Sequence, residues 1–513
     1  MRTRSKARRA ALVAAVVSAA WWASPAVAGE EALGSFQGHG DVGSPRIPGA
    51  ATYNAVSQEY GLAAAGVNMW GPRDEFHFVW KRLTGDFLLR AEVRFEGAGA
   101  DPHRKAGVIV RRGLDADSPY ADAVVHGDGL TSLQYRRAAG ATTEEVRSEL
   151  TGADVLQLER KGTTLTLSAA RFGETFRTSQ VSDLALGDGV YVGLFLCSHN
   201  PDVVERAVFR NVRLVRPARD GFVPYRDYIG SRLEILDVRT GESRIVFGSA
   251  EPFEAPNWTR DGAALVYNTS GRGEGRGRLV RFDLATRRSS LVDTGFAVRN
   301  NNDHVLSFDG EMLGISDQSA PDGQSAVCTL PARGGAPKRI TPLVPSYFHG
   351  WSPDGKQLVY TGGRNDEYDV YVIPADGSGT EKRLTTWKGL DDGPEYTPDG
   401  RYIYFNSTRS GTMQIWRMKP DGSDPEPVTS DAFNNWFPHV SPDGRSVAFL
   451  SFGKEVDPSD HPYYKQVYIR LMPIEDGTPR VVAYVYGGQG TLNVPSWSPD
   501  GTMLAFVSNT DAE

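Results

Sequence analysis

Cysteine is nearly absent: the 513 residues contain two, Cys197 and Cys328. Two distant thiols make neither a disulfide framework nor a thiolate metal cluster, so the fold must rest on apolar burial. Charge of one sign is also lacking, because 56 Lys and Arg stand against 63 Asp and Glu, interspersed, for a net charge of −7. That balance argues against a nucleic-acid partner. There is no Gly-rich phosphate loop, no Cys/His zinc spacing and no Gly-x-Ser-x-Gly elbow, which sets aside the chemistries those motifs carry. Long apolar runs are missing too, and the one near the start is short. "MRTRSKARRA" is basic, "ALVAAVVSAAWWA" is apolar, and Ala26-Val27-Ala28 fits a cleavage site. Residues 1–28 therefore read as a secretory signal peptide, with no membrane span after cleavage and a periplasmic or secreted location. The Arg8-Arg9 pair leaves the general and twin-arginine routes both open.

What the chain does have is a repeat. Six related stretches recur: NWTRDG (257–262), VLSFDG (305–310), GWSPDG (350–355), EYTPDG (395–400), HVSPDG (439–444) and SWSPDG (496–501). Their Asp-Gly pairs are 48, 45, 45, 44 and 57 residues apart. Such a unit is too small to hold its own core, so neighbours must stack. In the third unit Pro353, Asp354 and Gly355 make a tight turn, and "KQLVYTG" and "YDVYVIPADG" alternate after it before "EKRLT" closes the unit. Four short strands per unit predict a propeller blade rather than a helical solenoid. The sixth unit runs out after "TMLAFVSN", and its missing strands stand at the start as "RLEILDV" and "SRIVFG" (232–248). The expectation is an all-β chain ending in a six-bladed propeller (231–513) closed by strands from both of its ends.

Residues 32–215 lack the period but alternate as strands. In "FLLRAEVRF", Ala91, Val93 and Phe95 point one way and Arg90, Glu92 and Arg94 the other. This region predicts a β-sandwich, and the polar, Pro- and Gly-bearing 216–230 a linker. The stretches "WGPRDEFHFVWKRLTGDFLLRAEV" (70–93) and "GDGVYVGLF…AVFRNVRL" resemble the concanavalin-like jelly-roll sandwiches found beside carbohydrate-active enzymes. That resemblance implies carbohydrate binding, for which Trp70, Asp74, His77, Trp80 and Arg82 are the aromatic and polar candidates, although Trp80 and Phe78 also suit a core.

Residues 220–513 resemble the TolB-like propellers built on the PD40 repeat, through the six Asp-Gly turns. In propellers the segment entering the innermost strand lines the channel mouth. Here those segments are "EAPNW", "NNNDHV", "SYFHGW", "GLDDGPEY", "FNNWFPHV" and "GGQGTLNVPSW". They carry His304, His349 and His439, with Glu254, Asp303, Asp391, Asp392 and Glu395; the propeller's fourth histidine, His461, lies in an insertion. His304, His349, His439 and Glu395 are expected to converge in one polar funnel, the default place for a ligand.

Two chemistries suit such a ring. His304, His349 and His439 with Gln489 could hold a divalent metal, while a histidine or Tyr347 takes a proton from a uronate. Oligogalacturonate lyases, propellers with similar repeats, work that way, but no blade entrance here carries their paired His-x-His. Alternatively Asp391, Asp392 and Glu395 could supply the acid and base of glycoside hydrolysis. The expected function is a carbohydrate-active protein that binds or cleaves a polysaccharide or oligosaccharide. The alternative is a non-catalytic scaffold, similar to TolB, that binds cell-envelope proteins.

Overall fold

The computed structural model describes residues 33–223, 226–270, 275–475 and 477–511; the leader read at 1–28 lies outside the described residues. Every element within them is a strand or a turn, and no helix is long and apolar enough to cross a membrane.

The N-terminal part is a sandwich of two seven-stranded antiparallel sheets. One runs, edge to edge, through Gly38–Val42, Phe76–Thr84, Gly189–Cys197, Lys105–Arg111, Tyr120–His126, Thr131–Arg136 and Glu144–Arg147. The other runs through Arg177–Val181, Thr164–Ala170, Val155–Lys161, Phe87–Glu96, Asn200–Val215, Glu59–Gly66 and Ala50–Asn54. Alternation decides what lies between them: Ala106, Val108 and Val110 of one sheet meet Leu89, Ala91 and Phe209 of the other in one core. The first sheet is also covered outside, where Tyr120 donates to the Met69 carbonyl at 2.6 Å and Lys105 Nζ to Asn68 Oδ1 at 2.6 Å. Its central strands Lys105–Arg111 and Tyr120–His126 are consequently buried on both faces.

Six blades follow. Five are four-stranded sheets whose first strands are Phe253–Trp258, Asn300–Leu306, Ser346–Trp351, Asp391–Tyr396 and Asn434–Val440. The sixth joins Met503–Thr510 to Gly230–Asp237 and Ser243–Ser249, with Gly230 opposite Thr510 and Asp237 opposite Met503. Strands from the two ends thus close the ring and remove the edges an open sheet would expose.

The repeated turn has one physical form in all six blades. A Ser or Thr hydroxyl donates to the Asp two residues on, at 2.6–2.7 Å, in Thr259–Asp261, Ser307–Asp309, Ser352–Asp354, Thr397–Asp399, Ser441–Asp443 and Ser498–Asp500. The Gly that follows has φ between 68° and 76° in each, a conformation costly for a residue with a Cβ. Cys197 and Cys328 are both free and buried.

Among the described residues no sheet crosses 216–229, yet the polar face of Phe87–Glu96 is not a solvated one. Arg90 and Glu92 are 7 % exposed, because this face of the sandwich packs on the propeller. Arg213 donates to Glu234 at 2.6 Å and Tyr484 to the Glu174 carbonyl at 2.7 Å across that contact. The propeller covers this face, while Glu92 finds its partners within the sandwich, accepting from Arg210 at 2.8 Å and from Asn211.

Candidate functional site

A cavity of about 580 Å³ is framed by residues from all six blades, which places it at the mouth of the central channel. Tyr347, Tyr368, Leu390, Phe437 and Tyr463 give it apolar and aromatic walls. Asn301, Asn302, Gln318, Gln489 and Asn493 add amides, and Glu254, Asp303, Asp392, His349 and His461 supply the titratable groups.

Irregular backbone aims these side chains. In all five of the first strands named above the pairing slips, leaving one extra residue, or two in the second blade, that the second strand does not match. Ala255, Gly393 and Phe437, each three residues before its blade's strand-end aromatic or apolar residue, have φ of 58°, 61° and 53°. Such bulges bend the strand and re-aim its side chains. In the third blade the unmatched residue is His349, since Phe348 faces Tyr360 and Gly350 already faces Val359. In the second blade His304 is matched, opposite Ile315, and the unmatched stretch is 301–303.

That difference overturns the expectation that equivalent register means convergence. One residue of slip reverses the face a side chain takes. His349 and Asp303 enter the cavity, whereas His304 is fully buried with its Nε2 3.1 Å from the Val266 carbonyl of the preceding blade. Burial lowers its pKa to about 4, so it is neutral. His439 does not line the cavity either. Its Nδ1 meets Glu395 Oε2 at 2.7 Å and its Nε2 meets the Leu492 carbonyl at 3.0 Å, so both residues join blades four, five and six. Asp391 is buried against Arg409, which donates to it at 2.8 Å. Of the expected catalytic set, Tyr347, His349 and Asp392 share the cavity, and Gln489 of the metal set joins them. His304, His349 and His439 cannot close on one ion, and among the described residues no group of three or more His, Cys, Asp or Glu is arranged to hold a metal.

Within the cavity, His349 Nε2 lies 3.2 Å from Asp392 Oδ1, an oxygen that also accepts the Thr361 hydroxyl at 2.7 Å. Burial alone would lower the histidine, but the Asp392 bond and the charges of Asp303, Asp392 and Glu395 outweigh it and raise its pKa. Asp392 is held well below the usual carboxylate range by the same bond, against the opposing effect of burial. Both shifts favour the charged form of each partner. Asp303 and Glu254 behave oppositely. Burial lifts Asp303 to about 6, although His349 opposes it, and lifts Glu254 to about 7. Asp303 accepts from Asn301 Nδ2 at 2.6 Å, and Glu254 accepts from Tyr463 at 3.0 Å and Asn268 at 3.4 Å. Gly490 packs on Glu254 so closely that a Cβ there would lie 2.5 Å from the carboxyl. Tyr347 is raised to about 12 by burial; it can donate a proton at neutral pH but not act as a base.

His461 is the residue that repeat register hides. It comes from an insertion between the second and third strands of the fifth blade, with Ser459 and Tyr463, and its ring stands edge-on to Trp436 at 4.5 Å. The 57-residue spacing of the last two Asp-Gly pairs was the available signal.

The sandwich candidates do not form one platform. Asp74 is fully buried between Arg111 and Arg136, at 2.7 and 2.6 Å. His77 is buried, 2.7 Å from Asp41 and 3.0 Å from His39. The Trp80 indole lies on the backbone of Gly38 and Gly40, where added Cβ atoms would sit 3.3 Å from it, so that ring face is taken. Trp70 and Arg82 remain exposed.

Comparison with known proteins places the chain. Residues 346–459 match the PD40 TolB beta propeller domain. An uncharacterised protein of Agrobacterium fabrum is 47% identical over 278 residues, 54% of this chain and 92% of that protein. A solved structure from Agrobacterium tumefaciens, assigned to TolB, is 46% identical and covers 56% of this chain and 100% of its own, with a TM-score of 0.52. The Tol-Pal system protein TolB of Bordetella pertussis is 44% identical over 55 residues, 11% of this chain and 13% of that protein. By these matches and its six blades, the chain belongs to the family of TolB-like β-propellers built on the PD40 repeat.

Proposed function

We propose that the propeller mouth binds an uncharged stretch of a polysaccharide or oligosaccharide and hydrolyses a glycosidic bond there. One observation carries this reading: Asp303 and Glu254, with pKa values near 6 and 7, share an aromatic-walled cavity. Two carboxyls raised to differing degrees are what acid and base catalysis near neutral pH requires. Protonated Glu254 gives its proton to the leaving glycosidic oxygen. Ionised Asp303 takes a proton from water as that water's oxygen attacks the anomeric carbon and the old C–O bond breaks. His349 beside Asp303 favours its ionised form, against burial and the Asp392 charge. Tyr347, Tyr368 and Phe437 offer ring faces to sugar C–H groups, and the amides bind hydroxyls. A uronate in this pocket would meet the ionised carboxylates of Asp303 and Asp392, which disfavours the lyase alternative. Export to the periplasm or medium, as the leader implies, suits such a substrate.

The test is release of reducing ends from a panel of neutral oligosaccharides. Activity should follow a bell-shaped pH profile with limbs near about 6 and about 7, and Glu254→Gln and Asp303→Asn should each remove it. A wild-type protein that neither binds nor cleaves any member would end the reading. A second reading, a scaffold for cell-envelope proteins, is favoured by the match to a Tol-Pal system protein. It requires a protein captured from envelope extracts whose binding survives Asp303→Asn.

A further inference from the structure

A second cleft of about 160 Å³ adjoins the central cavity and shares Glu254, Asn301, Gln318 and Tyr463 with it. Its outer wall holds Arg276 and Arg299, both exposed. Their segments are tied together, because Asn300 donates its backbone N–H and its Nδ2 to the Gly277 carbonyl, each at 2.9 Å. A Cβ on Gly277 would lie 2.9 Å from the Arg299 Cα, so the glycine allows the two segments to touch, and both arginines line the one cleft. Among the described residues neither guanidinium has an ion-pair partner. The polarity thus changes along one continuous opening: carboxyls gather in the centre, and at the side stand two guanidiniums without an ion-pair partner among the described residues. Guanidiniums are suited to carboxylates and phosphates, which accept their forked donors.

We infer that Arg276 and Arg299 form an anion subsite beside the central cavity, so that the preferred ligand is a glycan with an uncharged unit in the centre and an anionic substituent on a neighbouring unit. This rests on the glycan reading above and adds the substrate class. It also assigns specificity to two residues outside the reacting groups.

The experiment measures binding of chitotetraose, which is neutral, and of a hyaluronan tetrasaccharide, in which N-acetylglucosamine alternates with glucuronate. Full-length protein carrying Glu254→Gln is used to prevent turnover. At low salt the hyaluronan tetrasaccharide should bind about tenfold tighter, and salt should erase the advantage. Arg276→Ala with Arg299→Ala should make the two affinities equal, and because both side chains are exposed the variant folds. Competition by free glucuronate assigns the subsite to carboxylates, and competition by inorganic phosphate assigns it to phosphate esters. Equal affinities before mutation, or competition by neither anion, overturn the subsite while leaving the glycan reading intact. Failure of both tetrasaccharides to bind overturns the two together.

Discussion

Glu254→Gln should stabilise the protein at alkaline pH and leave it nearly unchanged in mild acid. The carboxyl titrates at 4.5 when unperturbed and near 7 in the folded chain, mainly through burial. A group raised in this way contributes fully below its unfolded value, and that contribution is lost as pH climbs through the folded one. The interval from 4.5 to about 7, at roughly 1.4 kcal/mol per pH unit, comes to about 3 kcal/mol withdrawn from the wild type above pH 7. Glutamine has the same shape and no proton to lose. Its carbonyl can accept the Tyr463 hydroxyl, and its amide can donate to Asn268 Oδ1, a buried atom without a partner. The substitution therefore leaves no new unsatisfied group. Guanidinium unfolding of both proteins at about pH 5 and about pH 8 reads the effect directly. The curves should nearly coincide at the lower pH and separate by about 2–3 kcal/mol at the higher one. Parallel behaviour at both would refute the reasoning, since it would mean that Glu254 keeps an ordinary pKa and is not a proton donor near neutrality. Stabilisation together with lost turnover is the mark of a strained functional group.

Two further substitutions separate structure from function. His439→Ala should cost about 3–5 kcal/mol, because it leaves buried Glu395 with only the Val440 N–H, whereas His349→Ala should cost about 1–2 kcal/mol and abolish glycan binding. Equal losses of stability would contradict the placement of the two rings. In the sandwich, Asp74→Ala should lower stability by about 3–5 kcal/mol, since Arg111 and Arg136 would face each other buried and uncompensated. An unchanged thermal midpoint with weakened glycan binding would return Asp74 to a recognition role.

The alternating strands and the six turns are local features, and local features are what a sequence displays. Ser352, Asp354 and Gly355 make their turn with partners two to five residues away, so the pattern is legible before any fold exists. Closure was legible for a related reason: an incomplete last unit and two spare strands at the start leave one economical pairing, and Gly230 opposite Thr510 realises it. The site was only half legible. Polar segments at the strand entrances marked the region of the cavity, and Tyr347, His349, Asp392 and Gln489 line it. Which neighbour in each segment faces inward depends on where the pairing slips, and pairing is settled between strands rather than along one. His304 and His349 occupy the same position in their repeats, yet one is matched to Ile315 and the other to nothing. His461 reaches the cavity only because an insertion folds back over Trp436. The fate of Arg90 and Glu92 likewise waited on the propeller packing against them. The sequence alone determined the blades, because hydrogen bonds across a few residues specify them; the tertiary structure decided the chemistry, because burial, bulge position and facing charge exist only once distant strands have met.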